Sequence, residues 1–226
     1  MNAMTAEMDR LSTATRGSNQ TVVRAHNERL VLSLIRQSGP LAKSEISRIT
    51  GLSAQSVSVI MRALESDGLL MKGEPKRGKV GQPMVPISLN PAGAFFFGLK
   101  VGRRGLDLIL TDFCGDIVAR RREAHAFPDP DAVVRFADQG MRRIAEEMPA
   151  ERRARIAGLG IAAPCRMWDW AELLGVDPAE LSGWRARDIA AELAEGRPFP
   201  VYLGNDATAA CGAELVFGDQ DKPREF

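Results

Sequence analysis

Thr50-Gly-Leu-Ser-Ala-Gln-Ser-Val-Ser-Val-Ile-Met-Arg-Ala-Leu64 decides the fold of the first part of this chain. Gly51-Leu52 supplies a tight turn, because glycine takes positive φ at a helix C′ position without steric cost. Ser53 follows as an N-cap, and Val57, Ile60, Met61 and Leu64 recur behind it at helical spacing. That leaves Ala54, Gln55, Ser56, Ser58 and Arg62 on the other side. These short or hydrogen-bonding side chains are the kind a recognition helix offers to base edges in a major groove. Upstream, Ala42-Lys-Ser-Glu-Ile-Ser-Arg-Ile-Thr50 predicts a shorter helix with Ile46 and Ile49 on one face. Downstream come Gly68-Leu-Leu-Met71, a polar basic loop from Lys72 to Gln82, and Val85-Pro-Ile-Ser-Leu89, which read as strand, wing, strand. The stretch 20–90 therefore predicts a winged helix-turn-helix with double-stranded DNA as its partner. Its candidate contacts are Ser53, Gln55, Ser56, Ser58 and Arg62 on the helix and Lys76, Arg77, Lys79 and Gln82 on the wing.

Working outward, Val22 to Arg36 carries Val23, Leu30, Val31, Leu32, Leu34 and Ile35 as an apolar stripe, the first helix of this domain. Ser38-Gly39-Pro40 ends it, since proline cannot continue the hydrogen-bond ladder. Residues 1–19 are polar and aperiodic and are expected to form a disordered lead-in. Asn90-Pro91-Ala92-Gly93 is a turn cluster that sets a domain boundary, with a second domain over 91–226. There the pattern predicts strands at 94–101, 106–111 and 117–126, a helix at 131–148 and a buried strand at 156–163. A helix at 188–193, a strand at 201–203 and a helix at 206–216 follow. Three strands, then helix, strand, helix, strand, helix is the order of a ribonuclease-H-like lobe, the half-unit of the actin-like ATPases.

The 226 residues, 45% of them hydrophobic, are enough for two small domains, each with its own core. A net charge of +1 hides an asymmetry: residues 1–90 hold 12 Lys and Arg against 7 Asp and Glu, while the remainder is acidic. A basic module on an acidic body suits nucleic-acid contact at one end only. Cys114, Cys165 and Cys211 are widely separated and form no paired motif, so neither a disulfide framework nor a zinc site is expected. The sequence has no apolar run of membrane-spanning length and no signal-peptide layout, and the expectation is a cytoplasmic protein without a membrane partner.

A winged helix feeding such a lobe resembles the ROK family of repressors and sugar kinases over residues 20–226. His26-Asn-Glu-Arg-Leu-Val-Leu32 looks like the family's first helix. Thr50 to Ser58, with Gly81-Gln-Pro83 closing the wing, looks like its DNA reader. Tyr202-Leu-Gly-Asn-Asp-Ala-Thr-Ala-Ala210 looks like the turn that holds the family's catalytic Asp. The resemblance implies a transcriptional repressor of carbohydrate-metabolism genes, α/β in its lobe, with a sugar effector held at Asn205 and Asp206. It also implies that the chain stops before the family's second lobe, with a homo-oligomer where that lobe exists.

Departures from the family pattern point away from catalysis. ROK kinases place Asp-x-Gly-Gly-Thr at the end of the lobe's first strand, for metal and nucleotide phosphate. The matching run here is Leu99-Lys-Val-Gly-Arg-Arg-Gly105. An ammonium at Lys100 cannot organise magnesium, and Arg103 and Arg104 fill the space a phosphate needs. The family's Pro-Gly reads Pro164-Cys165. No enzyme activity, cofactor or metal is therefore expected; the alternatives are a sugar kinase using Asp206 as base and a DNA-binding module with a purely structural second domain. Several residues keep two readings at this point. Asn205-Asp206 caps a helix, with or without sugar contact. Lys100, Arg103 and Arg104 form an anion site or a solvated hairpin. Trp168, Trp170 and Trp184 stack a sugar ring or fill a core.

Overall fold

Two units meet at Asn90 and Pro91 in the computed structural model, which describes residues 3–75 and 84–218, with side chains from Thr21 onward. In the first unit, α1 (Ala3–Ser38) is a single long helix ended by Gly39 at φ 75. It begins at Ala3 rather than at Val22, in place of the expected lead-in. Ala, Met, Glu and Leu in the first dozen positions favour a helix but carry no apolar stripe, so periodicity gave no sign of it. Only Val31 and Ile35 of the predicted stripe are fully buried, packing over the two helices that follow. Val23 stays exposed because α1 is much longer than the short helices it rests on, and Leu30 because it lies about 100° round the helix from Val31.

The second helix, α2 (Lys43–Thr50), opens at Ala42, whose amide donates to the Glu45 carboxylate at 2.8 Å. It closes at Gly51, φ 72, whose amide donates to the Ser47 carbonyl. Ile46 is buried, whereas Ile49 is 49% exposed. Three residues on, the side chain has swung to the edge of the stripe, and an eight-residue helix has no further turn to bring it back. The third helix, α3 (Ala54–Ser66), buries Val57, Ile60, Met61 and Leu64 as expected. A two-stranded sheet completes the unit: β1 (Leu70–Lys72) runs antiparallel to β2 (Ile87–Leu89), Leu70 opposite Leu89. This is a winged helix-turn-helix.

The second unit is built on a five-stranded mixed sheet. Its strands are β3 (Phe95–Val101), β4 (Gly105–Thr111), β5 (Ile117–Ala124), β6 (Ile156–Ala163) and β7 (Val201–Asn205), in spatial order β5-β4-β3-β6-β7. The first three form an antiparallel meander; β6 and β7 add on in parallel, as crossovers through helices require. Alternation on β3 puts Phe95, Phe97, Leu99 and Val101 on the core face. Over that face lie α4 (Pro130–Glu146) and α8 (Ile189–Ala194). At Gly140 the α4 backbone approaches β4 so closely that an added Cβ would stand 2.5 Å from Leu108. Between β6 and α8 the chain makes short turns, including α6 (Ala171–Leu174) and α7 (Pro178–Ser182), and α5 (Ala150–Arg153) precedes β6. The last described helix, α9 (Asp206–Phe217), has no buried residue. The strand order and helix placement are those of a ribonuclease-H-like lobe.

Candidate nucleic-acid interface and lobe cavity

Ser53 sets the start of α3: its Oγ accepts from the Ser56 amide at 3.1 Å and lies 2.9 Å from the Ser56 hydroxyl. Both residues, with Gln55 and Arg62, are exposed, and Ser58 is half-buried. Arg62 Nε donates to the Ser58 carbonyl at 3.2 Å, laying the guanidinium along the helix. Gln55 and Arg62 therefore lie opposite the buried stripe, with Ser56 and Ser58 on its two flanks and Ser53 at the helix start. Ser53 has a second task in capping, so part of its hydrogen-bonding capacity is already used. Val59, an apolar residue absent from the polar contact set expected from the sequence, lies on the same outward side and is 48% exposed. Its position one turn beyond Gln55 was the available signal.

Lys76, Arg77, Lys79 and Gln82 lie outside the described residues. The strands that carry the wing are anchored to the reader helix, with Lys72 Nζ 2.8 Å from Glu65 Oε2.

In the lobe, Asn205 caps α9, its Oδ1 accepting from the Ala207 and Thr208 amides at 3.1 and 3.2 Å. Its Nδ2 donates to Cys165 Sγ at 3.2 Å and to Asp206 Oδ1 at 3.3 Å. Asp206 Oδ1 also accepts from the Ala207 amide at 2.9 Å. The structure thus brings Asn205 and Asp206 to the loop after β6. Beside them opens a cavity of about 340 Å³, walled by Cys165, Arg166, Trp168, Trp184 and Asn205 among others. Arg166 holds φ 56 and pairs with Asp169 at 2.6 Å. Trp184 is a core residue, 7% exposed, with Nε1 donating to the Pro128 carbonyl at 2.6 Å. Trp168 is half-buried on the cavity wall, with the Arg185 guanidinium 5.7 Å from its ring. Both tryptophans thus border the cavity, Trp184 as a core residue and Trp168 half-buried at the edge of the core.

Arg103 and Arg104 form the exposed tip of the β3–β4 hairpin, closed by the Gly102 amide donating to the Gly105 carbonyl at 3.0 Å. Lys100 is exposed on β3. His125 is tied to this hairpin through its amide and the Arg104 carbonyl. Burial pushes its imidazole below the ordinary 6.5, partly offset by Glu123 and the backbone of Gly105 and Gly102.

Residues 24–71 match the family described as winged helix-turn-helix DNA-binding. Over 201 residues, 89% of this chain and 51% of the relative, the sequence is 26% identical to the xylose repressor of Bacillus subtilis (strain 168). It is 27% identical over 195 residues to a transcriptional regulator of Mycobacterium tuberculosis, covering 83% of this chain and 42% of that one. The chain spans about half the length of the curated relatives it matches. Among solved structures, a ROK family transcriptional regulator, a homologue of the E. coli MLC protein, superimposes with a TM-score of 0.61 at 19% identity. That match takes in 86% of this chain and 49% of the other. A winged helix-turn-helix joined to a ribonuclease-H-like lobe is thus the arrangement in which this chain is similar to the xylose repressor of Bacillus subtilis in sequence and to a ROK family transcriptional regulator in fold.

Proposed function

We propose that this chain is a DNA-binding transcriptional repressor of carbohydrate-metabolism genes whose lobe senses a sugar. The observation that carries the reading is the outward face of α3, where Gln55, Ser56 and Arg62 stand exposed on a helix fixed by Ser53 and Gly51. A helix so presented suits a major groove, and the basic balance of residues 1–90 suits phosphate. Lys76, Arg77, Lys79 and Gln82 take the backbone and minor-groove contacts of the wing. A sugar effector fits the lobe cavity: Trp168 offers a ring face, and Asn205 and Asp206 offer hydrogen bonds. The operator is double-stranded DNA, and paired readers would match paired half-sites in a homo-oligomer.

Binding of DNA fragments by the 226-residue chain, measured across a salt series, tests the reading. Affinity should fall steeply with salt, with a log–log slope of about −0.9 for each phosphate neutralised. Replacing Lys76, Arg77 and Lys79 with Ala should flatten that slope and weaken binding to every sequence alike. A salt-independent interaction would overturn the proposal.

A second reading, an ATP-dependent sugar kinase, is favoured by one observation, the half-buried Asp206 carboxylate near the cavity. We place the protein outside the enzymes because the hairpin that would cradle phosphate presents Arg103 and Arg104 at its tip. Phosphorylation of a hexose panel that disappears in Asp206→Asn would reverse that assignment.

A further inference from the structure

On α3, Gln55, Val59 and Arg62 follow one another at i, i+4 and i+7, directly opposite Val57, Ile60, Met61 and Leu64. An apolar side chain thus sits at the centre of an otherwise polar reading face. On one side it borders an open recess of about 480 Å³, walled by Val23, Arg24 and Asn27 of α1 and by Gln55, Ser56, Val59 and Ile60 of α3. Val59 remains 48% exposed and Val23 57% exposed.

A lone exposed valine is unremarkable on most surfaces. Here its neighbours decide the matter. A helix lying in a major groove brings its central outward residue closest to the base edges, and among those edges one alone carries a methyl group, the thymine C5-methyl. A branched aliphatic side chain has no hydrogen bond to offer there. Every other major-groove edge presents donors or acceptors that it would strip of water without replacing the lost hydrogen bonds.

We propose that Val59 is a specificity-determining residue that selects thymine in the operator by packing its methyl groups on the thymine C5-methyl, between bases read by Gln55 and Arg62. This rests on the DNA-binding reading above and adds to it an apolar contact with a stated base. Gln55 then confers adenine preference and Arg62 guanine preference on the flanking positions, by their ordinary bidentate geometries.

To test this, the 226-residue chain is used to enrich bound duplexes from a random library, so that the protein selects its own site. Each thymine of the enriched site is then replaced in turn by uracil, which removes the methyl group and nothing else. At one thymine per half-site, binding should weaken about fourfold, the value of one methyl group taken out of water. Val59→Ala should bind the thymine duplex less tightly and should distinguish it from the uracil duplex by clearly less than wild type does. Val59→Thr, which keeps one methyl group and the branched shape, should retain part of the discrimination. Both changes are at an exposed position, and retained binding to non-specific DNA with an unchanged salt slope would verify that the variants are folded. Indifference to uracil at every position, or the same uracil penalty in wild type and Val59→Ala, would overturn the inference while leaving the DNA-binding function standing. Failure to enrich any sequence would overturn both.

Discussion

At Gly51 the backbone takes φ +72, and an added Cβ would meet nothing within 4 Å. Space is therefore not the constraint at this position; conformation is. Gly51→Ala should cost the first unit about 1–2 kcal/mol, the penalty of a left-handed conformation for an L-residue, and Gly51→Asn should cost less because asparagine tolerates that region. Chemical denaturation followed by helix content checks the order. Equal stability of Gly, Ala and Asn variants would show that the turn relaxes to another conformation. His125 makes a second prediction at this scale. Both its ring nitrogens are buried without a well-formed hydrogen bond among the described residues, and its folded pKa lies below 6.5. Below 6.5 the unfolded chain takes up a proton that the folded lobe refuses, so stability rises with pH through this window and is lost as pH falls towards the folded pKa. His125→Phe keeps a ring of similar size and removes the titration. The slope of lobe stability against pH just below 6.5 should flatten in that variant, and an unchanged slope would assign the effect to other groups.

Among elements, α3 and β6 were legible because their patterns are self-contained. Val57, Ile60, Met61 and Leu64 repeat at one helix period, and Ile156–Ala163 is an unbroken apolar run between turn residues. Ile49 and Val23 were misplaced for a different reason. Apolar spacing says which face of a helix could be buried, and only the partner's length says how far the burial extends. The run from Pro164 to Arg187 was silent because its helical turns are three to five residues long, too short for any period to show. It is tied to the lobe instead by Trp184, whose Nε1 reaches the Pro128 carbonyl 56 positions away in sequence. The lobe cavity was invisible for the same reason, although Asn205 on its border and the adjoining Asp206 were named. Gly140 shows packing between elements that sequence alone also hides. Alanine there would gain about 1 kcal/mol of helix propensity. It would also drive a Cβ to 2.5 Å from Leu108, which is 0% exposed and cannot swing away. Overpacking costs roughly 1–3 kcal/mol. Gly140→Ala should accordingly destabilise the lobe by about 1 kcal/mol, read by thermal or denaturant unfolding. A stabilised variant would mean that α4 shifts freely on the sheet.

For the whole molecule, charge and apolar exposure are unevenly shared. Acidic residues are sparser in the winged-helix unit than in the lobe, and the chain's net charge of only +1 offers little mutual repulsion between copies. The lobe, for its part, leaves Tyr202 at 68%, Leu203 at 51%, Leu215 at 64% and Phe217 at 59% exposure on β7 and α9. Exposed apolar residues so close together in one strand and the helix that follows exceed what single scattered side chains explain. With near-zero net charge, such a surface favours association. We expect the 226-residue chain to associate with rising concentration, and light scattering reads it directly. Salt separates this from the DNA-binding activity: raising it weakens contacts to phosphate, while apolar association persists or strengthens, most of all in a sulfate salt. Replacing Leu215 with Glu and Val216 with Lys should reduce the scattering and leave DNA affinity unchanged, because neither residue belongs to the winged-helix unit. A chain that stays monodisperse at high concentration and high salt would show that these side chains are tolerated in water, and the association argument would fail.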